Sequence, residues 1–191
     1  RMDPARATGG SGAEASPPVI LMHGSFDQHH LGPIARDTVC TVAGAWPGVV
    51  FRFIGRETEG LRRFAADVRG RCPGIRLELP GFIPYAAIGA ELARATLGLV
   101  PYEASNGTHC AFVAKAVEYL GCGLPVASTP LENLKRYFHA EPAIRFGGFD
   151  GGSLAREVLS WLDTPPADRN RLGRAASQRV ERELEIGRAH V

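Results

Sequence analysis

Lys115 and Glu118 are the residues of this chain best spaced to hold a ligand together. They stand in K-A-V-E-Y-L-G-C-G-L-P-V-A-S-T, Lys115–Thr129, which reads as a short helix, a glycine stop and a buried strand opening into a polar loop. Residues three apart share one helix face. Near a helix N-terminus the unpaired backbone N–H groups, with an ammonium beside them, suit a phosphate. A carboxylate on the same face can accept from a pair of sugar hydroxyls. The pair therefore reads as half of a nucleotide-sugar site. On spacing alone it reads equally well as an exposed helical ion pair of little energetic weight.

Other loops offer supporting chemistry. Gly24-Ser25 follows the apolar run V-I-L-M-H, and a glycine there lets backbone groups approach a phosphate while Ser25 adds a donor; the alternative is a plain strand exit. Asn106-Gly107-Thr108 lies just ahead of the Lys115 helix and could aim donors at the same phosphate, or form a tight turn with Thr108 near a cap. In Gly81-Phe82-Ile83-Pro84-Tyr85, backbone groups near Ile83 could read a base edge; alternatively Phe82 and Ile83 are core and Pro84 is a first-turn proline. His23, His29 and His30 crowd the first loop, but their spacing supplies no convergent set of three or four metal ligands. No G-x-S-x-G elbow supports a serine hydrolase, and neither G-x-G-x-x-G nor a Walker loop is present.

The elements that must position these residues alternate. Apolar runs at Val19–His23, Val49–Ile54, Ile75–Leu79, Leu97–Val100, Pro125–Ser128 and Ala143–Phe146 read as strands, the third nearer an edge because it alternates with charge. Helices are expected from Pro33 to Ala45, Thr58 to Arg69, Tyr85 to about Thr96, around Lys115 and Glu118, over Leu131–Phe138, Ser153–Leu162 and from Ala167 to about Leu184. Tyr102–Cys110 reads as a polar loop, and Gly121 or Gly123 as the left-handed helix stop. Strands alternating with helices, joined by connections too long for hairpins, imply an α/β fold: a doubly wound parallel sheet covered on both faces. Such sheets bind ligands beyond the C-terminal ends of their strands, where all the loops named above fall.

Composition narrows the function classes. A chain of 191 residues fits one domain of ordinary size with a substantial core. A formal net charge of +2 without a basic block gives no support for nucleic acid as partner. Cys40, Cys72, Cys110 and Cys122 form no C-x-x-C pair, and read as reduced, partly buried thiols of a cytoplasmic protein. No apolar run is long enough to span a bilayer, and the first residues lack the apolar stretch of a signal peptide. Residues 1–16, rich in Gly, Ala and Ser, read as a flexible linker ahead of a domain over 17–185; the opening Arg suggests missing upstream sequence. Residues 186–191, I-G-R-A-H-V, read as a non-native tail.

In order and spacing, five segments resemble a known family. V-I-L-M-H-G-S-F-D at Val19–Asp27, V-V-F-R-F-I-G at Val49–Gly55, L-P-G-F-I-P-Y and L-G-L-V-P-Y at Leu79–Tyr85 and Leu97–Tyr102, and K-A-V-E-Y-L-G-C-G-L-P-V-A-S-T-P-L at Lys115–Leu131 are similar to the C-terminal, donor-binding domain of GT-B glycosyltransferases of the group related to family 4. The resemblance implies the Rossmann-like half of a GT-B fold. It implies that Glu118 binds the nucleotide ribose, that Lys115 faces the diphosphate, and that Gly24 and Ser25 lie beside the phosphates. It implies a base contact through the Ile83 backbone, and places Asn106, Gly107 and Thr108 near the donor sugar. Two departures stand out. The earlier glutamate of the family's pair is Cys110 here, and Asp27, Gln28, His29 and His30 replace the first-loop cations.

The resemblance further implies sugar transfer from a UDP- or GDP-linked nucleotide-sugar to a glycan or lipid-linked acceptor, without a metal or other cofactor. The acceptor would be met through an N-terminal domain missing from this sequence, so the fragment should be inactive alone. Peripheral membrane association of the parent enzyme is compatible with such an acceptor. Two other classes stay open: a nucleotide-sugar epimerase domain, and a non-catalytic doubly wound binding module.

Overall fold

The computed structural model describes residues 16–111 and 113–183. The expected linker, Ser16 apart, and the expected tail at 186–191 lie outside the described residues. In chain order the elements are β1 (Val19–His23), α1 (Pro33–Ala45), β2 (Val50–Ile54), α2 (Glu59–Arg71), β3 (Arg76–Gly81), α3 (Tyr85–Arg94), β4 (Leu97–Val100), α4 (Asn106–Cys110), α5 (Ala114–Gly121), β5 (Val126–Ser128), α6 (Glu132–Phe138), β6 (Ile144–Phe146), α7 (Gly151–Asp163) and α8 (Pro166–Glu183). The six strands form one sheet in the order β3-β2-β1-β4-β5-β6, and every pairing is parallel. The chain reverses direction across the sheet between β1 and β4, so a ligand crevice is expected above that pair.

Local chemistry explains the elements. Ile20, Leu21 and Met22 are all fully buried, as a strand covered on both faces requires. Strand β3 is indeed the edge: Arg76 and Glu78 are exposed around buried Leu77, and Pro80, which has no N–H to donate, is tolerated there. Pro33 opens α1, and the Thr58 hydroxyl caps α2 by accepting from Leu61 N. Tyr119 on α5 lies across β4 at Gly98, where a Cβ would meet the ring at 2.7 Å from Cγ. Helix α8 is seated on α5. The Ser177 hydroxyl donates to Gly121 O at 2.6 Å, and Gly173 packs against the backbone of Gly123.

The structure corrects the expectations in two places and decides between the two glycines offered for one helix stop. The stretch read as loop up to Cys110 contains the short helix α4, because Ser105 and Thr108 form a reciprocal capping box around its first turn. Gly121 is helical, and the left-handed stop is Gly123 with φ +73°. The four thiols are free, but only Cys40 and Cys72 are half-buried, while Cys110 and Cys122 are exposed.

Candidate functional site

Helix α5 aims both of its singled-out residues over the β1/β4 crevice. Lys115 and Glu118 sit one turn apart on α5, and the N-cap residue, Val113, provides no side-chain cap. Of its first-turn N–H groups, that of Ala116 donates to Val113 O at 3.0 Å, while those of Ala114 and Lys115 meet no acceptor among the described residues and can take an anion. The Lys115 side chain passes over Gly24 at the end of β1: a Cβ on Gly24 would stand 3.2 Å from Lys115 Cε. Gly24 also has φ +109°, so glycine suits this corner both sterically and conformationally.

Lys115 Nζ is buried and meets no hydrogen-bond acceptor among the described residues. It lies 5.1 Å from the centroid of the Tyr102 ring, a cation–π contact. Burial pulls its pKa down to about 8, against the smaller raising effects of Asp27 and Glu118. A buried ammonium without a hydrogen-bond acceptor is costly, and a bound anion would relieve it.

Glu118 is bracketed on both sides. Its Oε1 accepts from the Tyr85 hydroxyl at 3.2 Å. Its Oε2 lies 3.1 Å from His23 Nε2, within ion-pairing distance but not aligned for a hydrogen bond. His23 is fixed by its backbone N–H, which donates to the buried Tyr119 hydroxyl at 3.1 Å, and by an edge-on contact with the Tyr119 ring. Burial lowers the His23 pKa below the ordinary 6.5, so the ring is neutral at pH 7 despite the nearby Glu118.

The first loop wraps the same corner. Asp27 Oδ1 accepts from the backbone N–H of His29 and His30, closing a turn. The His30 ring packs on Tyr102 with centroids 4.3 Å apart. Burial, reinforced by Lys115, lowers its pKa to about 4. His30 is thus a neutral packing group at pH 7. Among the described residues no three His, Cys, Asp or Glu side chains are placed to share a metal ion.

Beside Glu118 opens a largely apolar cleft of ≈ 420 Å³. It runs from His23, Gly24 and Tyr85 across the ends of β1 and β2 to Arg56, Phe82 and Ile83 beyond β3. Its volume falls in the range of small-ligand sites. Phe82 and Tyr85 are 66% and 75% exposed, so the rim carries two accessible aromatic rings.

The structure thus brings Gly24, Ser25, Ile83, Lys115 and Glu118 to one end face. Gly24 serves as a passage for Lys115, since its own N–H is committed to Ile54 O at 2.9 Å. Ser25 is exposed and makes no hydrogen bond to the described residues. Ile83 lines the cleft at its far end. Thr108 is turned inward: its hydroxyl donates to Glu103 O at 2.7 Å and accepts from Ser105 N, so it braces α4. Asn106 and Gly107 are exposed in the first turn of α4. Sequence reasoning missed Tyr85 as a partner of Glu118, Tyr102 as the support of Lys115, and the Arg56–Phe82 pair. His23 was weighed only as a metal ligand. The signal for Tyr85 was its place directly after a strand-exit proline, at the same sheet edge.

A profile of the family described as "Glycosyl transferase-like" matches residues 32–188. No curated protein matches the chain. Among solved structures, the catalytic domain of cholesterol-alpha-glucosyltransferase from Helicobacter pylori superposes with a TM-score of 0.67 at 16% identity, covering 87% of this chain and 98% of that one. Sucrose-phosphate synthase from Thermosynechococcus elongatus gives 0.72 at 21% identity, covering 87% of this chain and 41% of that one. A TarM variant from S. aureus, in complex with fondaparinux, alpha-GlcNAc-glycerol and UDP, gives 0.74 at 10% identity, covering 88% and 33%. The chain therefore spans less than half the length of the latter two. Identities this low speak for the fold, a Rossmann-like α/β domain of the GT-B type.

Proposed function

The chain belongs to the glycosyl transferase-like family, and from that premise we propose that it is the donor-binding half of an enzyme moving a sugar from a nucleotide-sugar to a glycan or lipid-linked acceptor. One observation carries the reading: a buried ammonium without a hydrogen-bond acceptor, Lys115, stands one turn from Glu118 above the β1/β4 crevice, beside a cleft of nucleoside size. The presence of UDP with the TarM variant of the same fold supports a nucleotide here.

In this reading the ribose hydroxyls donate to Glu118, and one of them takes the Oε1 that the Tyr85 hydroxyl occupies in the free protein. His23 limits the swing of the carboxylate from the other side. The diphosphate lies against Lys115 and the uncapped first turn of α5. As the bond between the sugar's anomeric carbon and the diphosphate oxygen breaks, negative charge grows on the leaving group. A desolvated ammonium already in place stabilises that charge more than it stabilises the ground state. The acceptor and any base acting on it belong to parts of the enzyme beyond this domain, so donor binding without transfer is expected from this chain alone.

Titration of UDP, GDP and ADP against the wild type, Lys115→Ala and Glu118→Ala tests the site. Each substitution should weaken the better-bound nucleotides by about tenfold or more, the scale of a charge-assisted hydrogen bond. Unchanged affinity in both variants would remove the assignment.

A further inference from the structure

We propose that Arg56 selects the base of the bound nucleotide, favouring a base whose outward edge carries a carbonyl, uracil or hypoxanthine or guanine, over adenine. The inference rests on the nucleotide reading above and deepens it. With the ribose anchored at Glu118, the ≈ 420 Å³ cleft leads away from α5 across β1 and β2 toward the edge strand β3. The base must follow that direction. Arg56, which directly follows Gly55 at the end of β2, and Phe82, beyond β3, stand at the far wall.

Arg56 is free to meet a ligand. Its guanidinium lies 5.7 Å from the centroid of the Phe82 ring and makes no hydrogen bond or ion pair with the described residues. Its neighbour in sequence, Glu57, is paired with Arg62 instead, at 3.4 Å. Among the described residues Asp27 is the one acidic side chain on the lining, and it belongs to the first loop and is not paired with Arg56. The aromatic face steadies the guanidinium without using its N–H groups.

A guanidinium donates and cannot accept. Uracil offers a carbonyl oxygen, and guanine offers O6 beside N7, the edge that arginine pairs with most often. Adenine places an amino group where that oxygen would be, so donor faces donor. Beside Arg56, Ile83, Phe82 and Ile88 are apolar in their side chains and stack on any base alike, and the Thr58 hydroxyl is engaged as the α2 cap by Leu61 N. Discrimination at this wall therefore falls to Arg56.

The test is equilibrium binding of UDP, GDP, IDP and ADP to the wild type, Arg56→Ala and Glu118→Ala. IDP and ADP differ at the six-position, carbonyl against amine, and so isolate the contact. The wild type should bind IDP about tenfold more tightly than ADP, the factor expected for one charged donor at a partly exposed site. Arg56→Ala should bring that ratio close to one by weakening IDP, UDP and GDP while leaving ADP unchanged. Glu118→Ala should weaken all four nucleotides by a common factor and keep the ratio. A wild-type preference for ADP, or an IDP/ADP ratio that survives Arg56→Ala, overturns the proposal. If Glu118→Ala, like Lys115→Ala, changes nothing, the nucleotide site itself is wrong and this inference falls with it.

Discussion

Donor affinity should depend on pH through Lys115. In the free protein, burial holds this group at about 8, well below the ordinary 10.5. A diphosphate beside it favours the ammonium and raises the value again, so binding takes up a proton wherever the free protein has lost one. Roughly nine-tenths of the protein carries the ammonium at pH 7 and roughly one-tenth at pH 9, from a midpoint near 8. If the ammonium form alone binds, UDP affinity falls about tenfold across that interval, about 1.4 kcal/mol. Three neighbouring groups stay quiet in the same window. His23 and His30 have lowered pKa values and are already neutral, and burial raises Tyr102 out of range. The terminal phosphate, with a second ionisation near pH ~6, is also fully charged by then. Calorimetry of UDP from pH 7 to 9, repeated in buffers of different ionisation enthalpy, reads both the affinity and the proton uptake. Lys115→Met should bind weakly and show neither trend. Equal affinity at pH 7 and 9 in the wild type, or the same decline in Lys115→Met, would refute the reasoning. The same lowered pKa has a consequence for folding. Between about 8 and 10.5 the unfolded chain holds the proton that the folded chain has lost, so stability should rise with pH through that window.

Two further substitutions test the frame around the site. Gly98→Ala drives a Cβ into the Tyr119 ring, and should lower stability by roughly 1–3 kcal/mol, as overpacking does, read as a fall in midpoint on denaturant unfolding. Gly24→Ala forces a side chain onto a backbone with φ +109° and against Lys115 Cε at 3.2 Å; UDP affinity should fall together with thermal stability, and an unaltered affinity would separate this corner from the ligand.

Much of the fold was legible because buried parallel strands write themselves as short apolar runs. Val19–His23 and Leu97–Val100 have the bounds read from sequence, and Pro33 and Ala45 bound their helix as read. The polar loop that became α4 was misread for a local reason: five residues carry no helical period, and only the Ser105–Thr108 capping box marks the turn. At the site, Lys115 and Glu118 were visible because they share one helix. The residues that tune them were not. His23, Tyr85 and Tyr102 come from three other segments, and the sheet order alone brings them beside α5. Nor does sequence show that Lys115 is buried without a hydrogen-bond acceptor, which separates a ligand-facing ammonium from an ordinary helical ion pair.

The margins of the sheet carry a consequence for how this domain meets other chains. On one side the outermost strand shows solvent a row interrupted by Pro80 and flanked by Arg76 and Glu78; on the other, β6 runs for 3 residues. A proline gap, charged side chains along the edge and a short run all discourage a foreign strand from zipping on. Growth of the sheet from chain to chain is thereby blocked at both borders, and association is steered toward helical faces or toward the end face where the cleft opens.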